Sequence, residues 1–189
     1  MNPTISIMVD YAHEPHSMTK LLDMLVDFRR RQIFDKIIHI VSCDGAGRDD
    51  WKKPVMGQIS YTRADFTVVT TESYDQGENP TEIVQLITEN FGMESKIDSP
   101  IEFKSASKYL EQINRDQAMQ QSLEIAVKMQ DLYNLYQKND NQEPESLKIL
   151  IVSTGVGSEQ KLWINGQDVI RDESQVWAKL WKELELKLS

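Results

Sequence analysis

The chain has 189 residues, 40% hydrophobic and 27% charged, enough for one well-buried core and ordinary for a globular rather than a disordered protein. A formal net charge of −9 argues against a nucleic-acid or anionic-membrane surface, although a locally basic phosphate site stays open. Cys43 is the single cysteine, which excludes an intramolecular disulfide framework and a cysteine zinc cluster.

Read in chain order, apolar runs alternate with segments of helical period. The opening MNPTISIMVDYAHEP has no basic stretch of a signal peptide, and no run approaches the ~20 apolar residues of a membrane span, so a reduced cytoplasmic setting is expected. Residues 5–9 (ISIMV) read as a buried strand, and 17–31 as a helix with Leu21, Leu22, Leu25, Val26 and Phe28 on one face. Residues 37–41 (IIHIV) are a second strand, 53–63 a helix, 66–69 (FTVV) a third strand. A helix over 80–91 carries Pro80 in its first turn, where the missing N–H costs nothing. A short strand is expected at 101–103, then a long helical region over 106–137 with a break near Asn114. Residues 138–146 read as a polar loop and 147–152 (LKILIV) as the last buried strand. Asn165-Gly166 marks a hairpin turn, and 173–188 a closing helix with Val176, Trp177, Leu180 and Trp181 inward. The alternation predicts an α/β, Rossmann-like, mostly parallel sheet of about five to six strands with helices on both faces and a small C-terminal hairpin.

In such a sheet ligands bind beyond the carboxyl ends of the strands. Four of those ends carry polar or glycine-rich sequence: DYAHEPH after residue 9, SCDGAGRDDWKKP over 42–54, TTESYDQGENP over 70–80 and STGVGSEQ over 153–160. Each has a plainer reading. Asp10 and His13 serve equally well to cap a turn, Glu72, Asp75 and Glu78 as solvated loop charges, and Gly155 and Gly157 as a tight strand exit. His39 reads as a satisfied core histidine, Cys43 as a buried small residue, and Trp177 with Trp181 as core. Together on one edge, the four loops point to a site.

The order of these segments resembles the C-terminal domain of the Mur ligase family, MurE-like UDP-N-acetylmuramyl-peptide synthetases in particular. VDYAHEPHSM resembles the family's VDYAH-x-P segment. Gly47-Arg48-Asp49 with Trp51-Lys52-Lys53-Pro54-x-Met56-Gly57 resembles G-x-RD-x-x-KRPxMG, and Gly155-x-Gly157-x-Glu159 resembles G-K-G-x-E. Arg115-Asp116-Gln117-Ala118 and Arg171-Asp172-Glu173 are fainter echoes. The resemblance covers nearly the whole chain, 1–189, as a single domain.

It implies one part of an ATP-dependent amide ligase of peptidoglycan precursor synthesis. There a carboxylate of a UDP-N-acetylmuramyl-peptide is activated as an acyl phosphate and attacked by an incoming amino acid's amine. By position it implies nucleotide contacts at Asp10, Tyr11 and His13. It implies amino-acid contacts at Arg48, Ser73, Asp75, Gly155 and Glu159, with Arg48 on the carboxylate and Glu159 on the ammonium. ATP and Mg²⁺ belong with the family's central ATPase domain. Its phosphate-loop lysine finds no counterpart here, because no Gly-Lys pair occurs in the sequence. The chain alone is therefore expected not to turn over ATP, and to act with an ATPase domain in cis or in trans. The family's DNPR segment is replaced by the longer TESYDQGENP, without arginine, and Glu72, Asp75 and Glu78 there suit lysine or another diamino acid. The alternative is a stand-alone, non-catalytic small-molecule-binding module derived from that domain.

Overall fold

The computed structural model describes residues 2–45, 47, 49–75, 77–139 and 145–188. Among them, five strands form one parallel sheet: β1 (Thr4–Val9), β2 (Lys36–Val41), β3 (Phe66–Val69), β4 (Tyr109–Glu111) and β5 (Lys148–Ser153). Their spatial order is β1-β5-β2-β3-β4, so the last strand in sequence sits between β1 and β2. The helices are α1 (Pro15–Arg30), α2 (Lys52–Arg63), α3 (Pro80–Thr88), α4 (Arg115–Asn139) and α5 (Glu173–Leu188). The antiparallel pair β6 (Lys161–Ile164) and β7 (Gln167–Ile170) is the expected hairpin, turning at Asn165-Gly166. The Rossmann-like class read from the sequence is the observed one.

Alternation along the central strands explains the two covered faces. Ile37, Val41, Val69, Leu150 and Val152 pack with Met18 and Leu22 of α1, Met56 of α2 and Ile87 of α3. Ile38, Ile40, Val68, Ile149 and Ile151 point the other way, onto Met119 and Ile125 of α4 and Trp177 and Leu180 of α5. A strand buried on both sides has no polar positions to spare, and His39 needs an explanation. Its Nδ1 is 2.7 Å from the Ser60 hydroxyl and its Nε2 is 3.0 Å from that of Thr154. Both nitrogens are satisfied, removing the several kcal/mol that an unpaired buried imidazole costs. Burial and the nearby Arg115 push its pKa down to about 3, so the ring is neutral. It is a core histidine.

Two expected elements are corrected. Residues 101–103 are not a strand: Pro100–Glu102 is a short 3-10 turn with Ile101 87% exposed. The edge strand is instead β4, inside the stretch expected to be helical, where Tyr109 and Leu110 pair with Thr67 and Val68. Three residues are too short for a period to show, and pairing with an open sheet edge overrides local helical preference. The break near Asn114 is real, since its side-chain oxygen accepts from the Gln117 N–H at 3.0 Å and α4 begins at Arg115. Of the polar loop over 138–146, residues 140–144 lie outside the described residues.

At the far end of the β3 loop, Asn79 starts α3. Its side-chain oxygen accepts from the Thr81 N–H at 3.1 Å, and its amide donates to Glu82 at 3.2 Å. Asn79→Ala is expected to lower stability by about 1 kcal/mol, read as a shifted urea midpoint with unchanged slope.

Candidate functional site

Because the sheet is parallel, the segments following β1, β2, β3 and β5 emerge along one edge. They are pinned to one another. The Tyr11 hydroxyl donates to Glu159 at 2.7 Å, joining the β1 loop to the β5 loop. Lys52 reaches Glu14 at 3.0 Å, tying the start of α2 to the β1 loop. The Gly45 N–H donates to the Ser73 carbonyl at 2.7 Å, and the Tyr74 N–H to the Trp163 carbonyl at 2.8 Å, so the β3 loop is held by both the β2 loop and the hairpin.

The two glycines of GVGSE have positive φ, +100° at Gly155 and +57° at Gly157. Each also accommodates a side chain from another loop. A methyl group at Gly155 would land in the Glu72 carboxylate, and one at Gly157 on the Tyr11 ring. The glycines let loops interlock here, beyond any approach to a ligand.

Two clefts open on this rim and share Glu159. One, of about 390 Å³, is lined by Asp44, Gly45, Ser73, Tyr74, Asp75, Glu159 and Trp163. The other, of about 520 Å³, lies among Asp10, Tyr11, Gly157, Glu159, Asp172 and Ser174 and their neighbours. The bond from Tyr11 to Glu159, together with the acid's charge, raises the phenol's pKa. Tyr11 therefore remains a donor that holds Glu159 on the boundary between the clefts.

The residues singled out from the sequence fall into distinct places. Ser73, Asp75 and Glu159 come together in the smaller cleft, where Asp75 accepts from the Trp163 indole N–H at 2.6 Å. Asp10 and Tyr11 line the larger cleft. The Asp10 carboxylate accepts from the Ala12 N–H at 2.8 Å, so it also caps its own turn. The ring of His13 meets Tyr11 edge-on at 4.7 Å, and its Nδ1–H donates to the Tyr11 carbonyl at 2.8 Å. Gly155 is buried behind the rim. Arg48 lies outside the described residues. The expectation that Glu72, Asp75 and Glu78 form one acidic set is corrected. Glu72 is 7% exposed and turned inward onto Ser42, and Glu78 accepts from the Asp75 N–H at 2.5 Å. Cys43 is buried, and burial pushes its thiol pKa up, so it is no nucleophile.

Beneath the rim lies a buried polar network that sequence reasoning noticed only as two faint motif echoes. Arg115 holds Glu173 through two bonds, Nε to Oε2 at 2.9 Å and Nη2 to Oε1 at 3.0 Å. It also donates to Ser42 Oγ at 2.6 Å, Ser153 Oγ at 3.0 Å and the Thr154 carbonyl at 2.9 Å. Ser153 donates to Glu173 in turn. Arg171 pairs with Asp116 at 2.6 Å, so the Arg-Asp pairs of the two echoes interlock. Burial raises the Glu173 pKa, but Arg115 and its hydrogen bonds outweigh that and hold it below the usual value. The network anchors α4 and α5 to the carboxyl ends of β2 and β5. A hydroxyl residue at the end of each of those strands, Ser42 and Ser153, was the available signal.

Nucleotide chemistry fits the larger cleft in part. The lining acids suit hydroxyl donors such as those of a ribose, whereas the described lining residues include no cation for phosphates. Among the described residues, no group of three or more His, Cys, Asp or Glu is placed to hold a metal ion.

Comparison with known proteins agrees with this arrangement. The family model for the Mur ligase, glutamate ligase domain, matches residues 2–135. A UDP-N-acetylmuramoyl-L-alanyl-D-glutamate–2,6-diaminopimelate ligase of Clostridium acetobutylicum is 26% identical over 97% of this chain and 30% of its own length. The ligase of that name from Clostridioides difficile is 30% identical over 66% of this chain and 22% of its own length. A solved structure of a ligase of that name superposes with a TM-score of 0.68 at 17% identity, covering 98% of this chain and 31% of that one. The chain thus spans about 30% of the relative that it matches over most of its own length. Because the family model matches most of the chain and the solved ligase shares its fold, the chain belongs to the Mur ligase family as a C-terminal, glutamate ligase domain.

Proposed function

We propose that this domain receives the amino acid in an ATP-dependent amide ligase of peptidoglycan precursor synthesis. The observation that carries the reading is Glu159, held by Tyr11 on the boundary between two clefts and accompanied in one of them by Ser73, Asp75 and Asp44. In the chemistry the family implies, a carboxylate of the UDP-N-acetylmuramyl-peptide takes the γ-phosphoryl group of ATP. The amino acid's amine then attacks that carbonyl, phosphate leaves and an amide forms. Glu159 orients the ammonium, and Arg48 is assigned the carboxylate. Asp10 and Tyr11 face the ribose and base of the nucleotide, and His13 stands toward its phosphates. The phosphates rely on an ATPase domain for their cations, and Mg²⁺ relies on it for carboxylate ligands. Catalysis by this domain is positioning: it holds the amine in line and excludes water.

The amino acid is one with a distal amine, lysine or another diamino acid. Supporting this, Asp44, Asp75 and Glu159 line the smaller cleft, and no described lining residue is a cation for the second carboxylate of diaminopimelate. Calorimetric titration of the chain with lysine, norleucine and diaminopimelate tests the reading. Lysine is expected to bind, with norleucine and diaminopimelate weaker. Glu159→Gln is expected to weaken lysine at least ~10-fold, about 1.4 kcal/mol. Absence of a lysine isotherm, or an unchanged one in that variant, overturns it. Steady ATP turnover by the purified chain would contradict the assigned division of labour.

A further inference from the structure

Glu72 is unexplained by the reading above. It is a buried acid, it lines neither cleft, and it occupies the space that makes Gly155 necessary. Its surroundings come from four segments. Ser42 donates to its Oε1 at 2.5 Å, and Asp44 and Cys43 follow β2. Arg115 stands on α4, His13 and Tyr11 on the β1 loop, and Gly155 on the β5 loop. Glu72 itself follows β3, so every loop of the rim meets at this one carboxylate.

We propose that Glu72 is the positioning residue of the rim: through Ser42 and Gly155 it sets how the 154–159 loop is seated, and with it where Glu159 stands. The geometry provides two bonding arrangements of the same atoms. The Ser42 hydroxyl accepts from Arg115 at 2.6 Å and has one proton to give. Its two acceptors are Glu72 Oε1 at 2.5 Å and the Thr154 carbonyl at 3.2 Å. With Glu72 ionised, the proton goes to the carboxylate. With Glu72 protonated, the carboxylic acid donates to Ser42 Oγ, and the Ser42 hydroxyl turns to the Thr154 carbonyl. That carbonyl is the root of the loop, on the peptide bond to Gly155, where a bond gained or lost reaches the loop directly.

Burial pushes the Glu72 pKa up to about 7. Asp44 adds to the rise, while Arg115, the Ser42 bond and His13 oppose it. Both arrangements are therefore populated around neutral pH. This proposal stands apart from the ligase reading, because it concerns the loop without any ligand.

Amide nitrogen–proton spectra of the whole chain from pH 5.5 to 8.5 test it. The Gly155 and Glu159 amides are expected to shift together along a one-proton curve with a midpoint near neutrality. Glu72→Gln is expected to flatten both curves. His13→Gln controls for the imidazole and is expected to keep both curves, with their common midpoint moved somewhat upward because His13 opposes the rise. Failure of Gly155 and Glu159 to titrate together overturns the proposal, as does titration that survives Glu72→Gln or disappears in His13→Gln.

Discussion

Replacing Arg115 with methionine is expected to cost about 3–5 kcal/mol of folding stability, a large part of the 5–15 kcal/mol that a domain of this kind possesses. Arg115 is 5% exposed, and Glu173 is 2% exposed. Methionine fills much of the volume but leaves the Glu173 carboxylate, the Ser42 and Ser153 hydroxyls and the Thr154 carbonyl without their donor. The loss is mostly the penalty of a stranded buried charge, not the net worth of the ion pair. The double variant Arg115→Met with Glu173→Met should therefore recover much of it. Arg115→Lys should not, because one ammonium cannot span a bidentate carboxylate and three further acceptors. The exposed pair Lys161–Asp168, at 2.9 Å, is the control, and losing it should change stability by less than about 1 kcal/mol. Urea unfolding measures all four variants. A double variant as unstable as the single one would mean that the network acts by packing rather than by charge.

The contrast between this network and the strands shows what the sequence makes legible. Buried strands such as β2 announce themselves, because a run of apolar residues flanked by polar ones is a local pattern. The hairpin does too, since Asn165-Gly166 is turn chemistry carried by two adjacent residues. The four polar loops were readable as one site because parallel strands must send their carboxyl ends to one edge. What was not readable is pairing across the chain. Arg115 and Glu173 lie 58 positions apart, and Tyr11 and Glu159 lie 148 apart. No local period registers such partners. Glu72 shows the same limit from another side. In the string TTESYDQGENP it looks like Asp75 and Glu78, and only the seating of Gly155 against it reveals that it is turned inward. The short strand β4 escaped for a related reason, as its extended form comes from the β3 edge and not from its own three residues.

Glu72→Gln is expected to stabilise the chain above neutral pH by about 3 kcal/mol, with little effect near pH 5. The sign follows from where each state releases its proton. In the unfolded chain this carboxyl ionises near 4.5, whereas in the fold burial holds the proton to about 7. Between those values the native state binds more protons than the unfolded one, so stability falls as pH rises and levels off above about 7. Glutamine is neutral at every pH, offers an amide where the acid offers a carboxyl, and escapes that loss. Glu173 has the opposite slope. Its folded pKa is lowered, so its contribution is present above the unfolded value and is lost as pH falls through the folded one. Two acids tied to the same guanidinium thus pull the stability curve down from opposite sides. The wild-type maximum should lie on the acidic side of neutrality and move upward in Glu72→Gln. Urea midpoints at pH 5, 6.5 and 8 measure the effect. If the two proteins run parallel across that range, the folded chain ionises Glu72 without penalty, and its burial does not carry the electrostatic cost assigned to it.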